Sequence, residues 1–148
     1  MTLQQWLNNR WLAEHETSRD EISGLLAVIE RDLQNAAVAE LSPDWKLAIA
    51  YNAALQCAIA ALAAHGYRPG RGGAHHYYAI QTLGFTLGIE DEVIRTLDAF
   101  RKKRNLADYE RAGLVTNTEA EELVDLTTEL RDRLTVWLRK NKPDLFDS

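Results

Sequence analysis

The chain has 148 residues, 46% of them apolar and 26% charged, with a formal net charge of −5. That length suits one domain, read here as residues 1–148, whose core needs no disulfide or structural metal. The acidic balance argues against a protein coated all over by nucleic acid, while leaving room for a local basic patch.

The start, MTLQQWLNNRW, lacks the basic opening and apolar run of a signal peptide. The quietest stretch, Ile49 to Ala64, is rich in alanine but carries Asn52 and Gln56. It reads as a buried helix, so no membrane association is expected. A single cysteine, Cys57, allows no disulfide within the chain and fits a reducing cytoplasm. Its expected fate is a buried, inert thiol.

Capping signals and apolar spacing divide the chain into helices. Thr2 and Gln5 suggest a capping box for a short first helix over about 3–15, so that residues 1–16 form a helical extension. Ser18 and Glu21 suggest a second capping box that opens a helix to about Glu40, with Ile22, Leu25, Leu26, Ile29, Leu33 and Ala36 on one face. Ser42-Pro43-Asp44 opens a third, with Leu47, Tyr51, Leu55, Ala58 and Leu62 as its stripe and Gly66 at its end. Its many alanines allow close neighbours, and it is the expected centre of the bundle.

The run GYRPGRGG, Gly66 to Gly73, lacks a preceding strand and a phosphate-loop pattern, so it reads as a flexible connection. A fourth helix is expected over about 74–87, stopping at Gly88, and a fifth from near Glu90 to about Tyr109. Thr118 and Glu121 suggest the cap of a long last helix, with Leu123, Leu126, Leu130, Leu134 and Trp137 on one side. Glu119, Glu121 and Glu122 suit the start of its dipole, and Arg139 and Lys140 its end. Residues 142–148 read as a flexible tail. No segment alternates with period two. The expected fold is all-α: an up-and-down antiparallel helical bundle of four to five main helices plus a short N-terminal one.

The stretch FRKKRNLADYE, Phe100 to Glu110, breaks the pattern. At about 100° per residue, Arg104 falls within about 40° of Val93, Leu97 and Phe100. Asp108 lies beside it one turn on, Arg101 flanks it, Asn105 lies further round, and Tyr109 sits near the far border. Arginine cannot lose its charge to suit burial, so it needs acceptors or an opening to water. One account is a structural ion pair with Asp108 or an acid on another helix. The other is a cleft where Arg104 holds phosphate, because a guanidinium matches phosphate geometry with two parallel hydrogen bonds.

RNLADY, Arg104 to Tyr109, resembles the R-x-x-A-D-Y signature of one branch of the HEPN superfamily, small prokaryotic all-α proteins often encoded beside a minimal nucleotidyltransferase. LSPDWKLAIAYNAALQCAIAALAAHGY, Leu41 to Tyr67, is similar to their second long helix, and HHYYAIQTL, His75 to Leu83, to the segment that follows. The resemblance implies a homodimer whose two motifs face one cleft, and a ligand that is RNA or a nucleotide. It also implies a toxin–antitoxin or defence setting with a nucleotidyltransferase partner, an enzyme that in related systems adds AMP to a tyrosine near the motif.

In active HEPN ribonucleases a histidine follows the arginine after four to six residues and works without metal. Here Tyr109 stands in that place, and His15, His65, His75 and His76 all precede the motif. Tyrosine ionises near pH 10 and is mostly a donor at neutral pH, whereas histidine can both take and give a proton. The departure favours a binding or interaction module over a ribonuclease, with a purely structural adaptor as a third reading. Arg104, Asn105 and Tyr109 are the candidate catalytic residues. Arg101, Arg104, Asp108, His75 and His76 are the candidate phosphate- or nucleotide-binding residues.

No cofactor or metal is expected. His75 and His76 point about 100° apart on a helix, and Ala79 and Ile80 stand one turn beyond them. Tyr77, Tyr78, Trp6, Trp11, Trp45 and Trp137 read as packing or interface residues.

Overall fold

The computed structural model describes residues 1–109 and 112–146, with 107–109 described by their backbone alone. The architecture is all-α with a small two-stranded sheet at one side.

Helix α1 spans Leu3–Asn8, and the Thr2–Gln5 capping box forms as the sequence indicates. The helix is shorter than expected. Arg10 turns the chain with a left-handed backbone (φ 65°), an uncommon conformation for a residue with a side chain. Strand β1, Leu12–Glu14, follows instead of more helix. It pairs antiparallel with β2, Tyr67–Pro69, placing Leu12 opposite Pro69 and Glu14 opposite Tyr67. So the start of the Gly66–Gly73 run is a strand rather than a free connection, and Leu12 is buried. Three-residue strands are too short to show a convincing alternation. Gly70 ends the pairing: its N–H donates to the Trp11 carbonyl at 2.8 Å, and a Cβ there would lie 2.4 Å from the Arg10 carbonyl oxygen.

Helix α2 spans Arg19–Ala36, with the Ser18 hydroxyl accepting from the Glu21 N–H. The reciprocal half of that cap is missing. The Glu21 carboxylate instead accepts from Thr17 at 2.6 Å and pairs with His15 at 2.8 Å, which holds it below the usual carboxylate range. Helix α3, Pro43–Ala64, starts at the Ser42 cap and ends before Gly66, whose φ of 92° is the left-handed close the sequence signals. By length and composition α3 could cross a membrane, but 72% of its apolar window is buried inside the protein. Ala50, Ala53, Ala54, Ala58, Ala60 and Ala61 are all fully buried, so neighbours pack directly against the α3 backbone. Cys57 is buried too, and burial pushes its thiol far up.

The expected fourth helix is two pieces, α4 at His75–Gln81 and α5 at Leu83–Thr86. The break falls at Thr82, which is fully buried and turns its hydroxyl back to donate to the Ala79 carbonyl at 2.8 Å. Such back-bonding bends helices. Helix α6 spans Asp91–Tyr109 and α7 spans Asn117–Asn141. The α7 capping box is Thr116 with Glu119, two residues before the expected Thr118 and Glu121. Within the expected tail, Pro143–Leu145 form a 3₁₀ turn and Leu145 and Phe146 pack against the core beside Arg139, while 147–148 lie outside the described residues.

Contacts between helices give their directions. Asp32 accepts from Asn52 at 2.6 Å, so α2 and α3 run antiparallel across a short link. Lys46 meets Glu121, Ala50 meets Thr127 and His65 stacks on Trp137, so α3 and α7 run the same way. Lys103 pairs with Glu119 and Arg133 with Glu90, so α6 opposes α7. The order α2, α3, α6, α7 is therefore up-down-up-down, with α3 at the centre against α2, α6 and α7. Trp6 packs edge-on against Trp11, Tyr78 and Phe85, and Trp11 stacks on Tyr78 at 5.8 Å. This aromatic knot fastens α4 to the N-terminal segment and so sets where His75 and His76 stand. Trp45 departs from the packing expected of it and is 65% exposed.

Candidate functional site

Helix α6 turns Leu97 and Phe100 into the core, and Arg104 continues their line as the wheel predicts. The half-buried Arg104 places its guanidinium carbon 5.6 Å from the centroid of the Tyr51 ring on α3. An aromatic face attracts a cation at this range, which eases burial without neutralising the charge. The Asn105 side-chain oxygen accepts from Arg104 Nη1 at 3.4 Å. The side chains of Asp108 and Tyr109 lie outside the described residues.

The four consecutive bases separate by face. Lys103 turns to α7 and pairs with Glu119, whose carboxyl this contact holds low. Lys102 is exposed and reaches Asp98 at 3.5 Å. Arg101 donates through Nε to Asp98 at 2.8 Å and lies 5.6 Å from the centroid of the Tyr77 ring on α4. Arg101 thus faces α4, which carries His75 and His76, while Arg104 faces α3.

His76 is half-buried, with its ring 6.3 Å from Tyr51 and 4.4 Å from the edge-on ring of exposed His75. Burial lowers its pKa, and then His75, Arg104 and Arg101 lower it further. His76 is therefore held neutral at physiological pH, able to accept a proton at one ring nitrogen and donate from the other. His75 is tied through Nδ1 to the Gly72 carbonyl at 3.1 Å. Of the sequence-identified residues, Arg101, Arg104, His75 and His76 come together, although α4 and α6 are separate in the chain. Among the described residues, no group of three His, Cys, Asp or Glu side chains is disposed to hold a metal.

Sequence reasoning missed Tyr51 as a site residue. It stands in the α3 stripe between Leu47 and Leu55 and reads as core. It is 1% exposed, and burial raises its pKa to about 12, against the opposing pull of Arg101 and Arg104 and with a small push from Asp98. The hydroxyl is therefore a permanent donor near neutral pH. The signal that could have found it is the one that exposed Arg104: a polar atom at a position where the helix wants an apolar one.

A cleft of about 290 Å³ between α6 and α7 is lined by Glu92, Glu122, Asp125 and Glu129 around Val93 and Leu126. Four carboxylates make this cleft unfavourable to anions.

Together these features define an all-α bundle with a half-buried cluster of arginine, histidine and tyrosine where three helices meet. No protein-family model, curated protein or solved structure matches the chain.

Proposed function

We propose that the chain is a HEPN-like module that binds RNA or a nucleotide by its phosphate at the Arg101–Arg104 face of α6. The reading extends to a homodimer and to a toxin–antitoxin or defence pair with a nucleotidyltransferase partner, following the resemblance of RNLADY to the HEPN signature. The observation that carries it is that Arg104 of α6 and His76 of α4 meet at Tyr51 of α3, with Arg101 over Tyr77 and His75 against His76 beside them. A guanidinium over an aromatic face presents a planar fork suited to phosphate, and a neutral histidine beside it adds a donor without repelling the arginines.

The test is binding of a single-stranded RNA oligonucleotide, measured at low and moderate salt for wild type and Arg104→Ala. The variant should bind about a hundredfold more weakly. It should also lose about 0.7 from the slope of log affinity against log salt, as for one phosphate contact on a single strand. Equal binding by both proteins, with lowered folding stability in the variant, would leave Arg104 a structural residue and favour an adaptor.

One observation favours a second reading, metal-independent RNA cleavage. His76 stands in the cluster although the motif position holds Tyr109, and its lowered pKa keeps the imidazole neutral and able to accept a proton. In that reading His76 takes the ribose 2′-hydroxyl proton and the freed oxygen attacks the adjacent phosphorus of the phosphate held by Arg104; the bond from phosphorus to the 5′-oxygen breaks, leaving a 2′,3′-cyclic phosphate, and the departing oxygen takes a proton from solvent water. The binding reading expects wild type to cleave RNA no faster than Arg104→Ala. Cleavage by wild type that is lost in both Arg104→Ala and His76→Ala would establish the enzyme.

A further inference from the structure

The Tyr51 hydroxyl is buried and meets no hydrogen-bond partner among the described residues. Leu47 and Leu55, one turn away on either side, are apolar and buried. A phenylalanine would fill the same space without this cost, because a buried hydroxyl that has surrendered its solvation needs an acceptor. The charges near enough to act on the hydroxyl are those of Arg101, Arg104 and Asp98, all on α6. The same ring lies beneath the Arg104 guanidinium and beside His76. A donor, two cations, one of them paired with Asp98, and a neutral imidazole thus converge, and the complement of the donors in that set is an anionic oxygen.

We infer that Tyr51 is a ligand-binding residue whose hydroxyl donates to a phosphoryl oxygen of the ligand held by Arg104. The inference rests on the phosphate-binding reading and deepens it. The arginines attract any polyanion to the surface. Tyr51 recognises the phosphoryl group itself, drawn in between α3 and α6. Two consequences separate this from surface attraction. Part of the affinity does not depend on salt, because a buried hydrogen bond to the ligand releases no counterions. Inorganic phosphate competes with RNA, because the site reads one phosphoryl group rather than a chain of them.

The experiment compares wild type, Tyr51→Phe and Arg104→Ala in binding a single-stranded oligouridylate of about ten nucleotides, at two salt concentrations, with inorganic phosphate as competitor. Urea unfolding of each protein is followed in parallel. Tyr51→Phe should weaken RNA binding about tenfold, as for one lost hydrogen bond to a charged group. The loss should be equal at both salts, and competition by phosphate should be lost with it. Its folding should be no less stable than wild type.

Wild-type affinity and phosphate competition in Tyr51→Phe would overturn the inference while leaving the phosphate-binding reading intact, the hydroxyl then being satisfied by water. Lowered stability in Tyr51→Phe would overturn it as well, since the hydroxyl would then have a structural partner. Indistinguishable binding by wild type and Arg104→Ala would remove the phosphate-binding reading and this inference together.

Discussion

The Arg104 guanidinium lies over the Tyr51 ring, 5.6 Å from its centroid, at the contact between α6 and α3. That contact gives a permanent cation support inside the bundle, because an aromatic face attracts the charge without cancelling it. The neighbouring arginine repeats the arrangement one turn earlier, with Arg101 over Tyr77.

The shape of the guanidinium matters as well as its charge. Lysine keeps the charge but is a compact, strongly hydrated ammonium that neither stacks on an aromatic face nor grips phosphate through a planar fork. Arg104→Lys should therefore bind single-stranded RNA about tenfold more weakly than wild type and still better than Arg104→Ala. Affinity equal to wild type would mean that Arg104 acts only as a point charge.

Folding stability should fall as pH drops from about 7 to about 5. Burial holds the pKa values of His65 and His76 below their ordinary 6.5. Between the lowered folded values and 6.5 the unfolded chain binds more protons, so stability rises with pH through this window and is lost on descending it. His65 stacks on Trp137 at 4.5 Å and is tied through Nδ1 to the Ala61 carbonyl, while His76 sits in the arginine cluster. The urea midpoint measured across this range should flatten in the His65→Gln, His76→Gln double variant. A slope unchanged by both substitutions would assign the dependence to other groups.

Gly70 should not tolerate a side chain. A methyl group there meets the Arg10 carbonyl oxygen at 2.4 Å and the Trp11 carbonyl oxygen at 3.0 Å, and both are backbone atoms that cannot swing aside. Gly70→Ala should cost about 1–3 kcal/mol, read from urea unfolding, as for other overpacked sites. Because β2 leads into α4, the same variant should also weaken RNA binding. An undisturbed midpoint would contradict the β1–β2 pairing.

The helices were legible because their signals are local. Caps at Thr2, Ser18 and Ser42, the closing Gly66 and Gly88, and apolar residues spaced three and four apart act within one or two turns. The inward course of Arg104 belongs with them, since a helical wheel needs only the residues of one helix. Where two local signals competed, the sequence was ambiguous: Thr116 with Glu119 and Thr118 with Glu121 have equal spacing, and the extended backbone at Thr116 decided between them.

What the sequence by itself determined is therefore an all-α bundle centred on α3, with one cation turned inward on α6. Only the tertiary structure decided that residues 12–14 and 67–69 would pair, that Trp45 would face solvent, and that Tyr51 and His76 would meet Arg104. The physical reason is distance along the chain. A turn of helix is settled by neighbours a few residues away, but residues 51, 76 and 104 come together only when the packing of α3, α4 and α6 places them on the same spot.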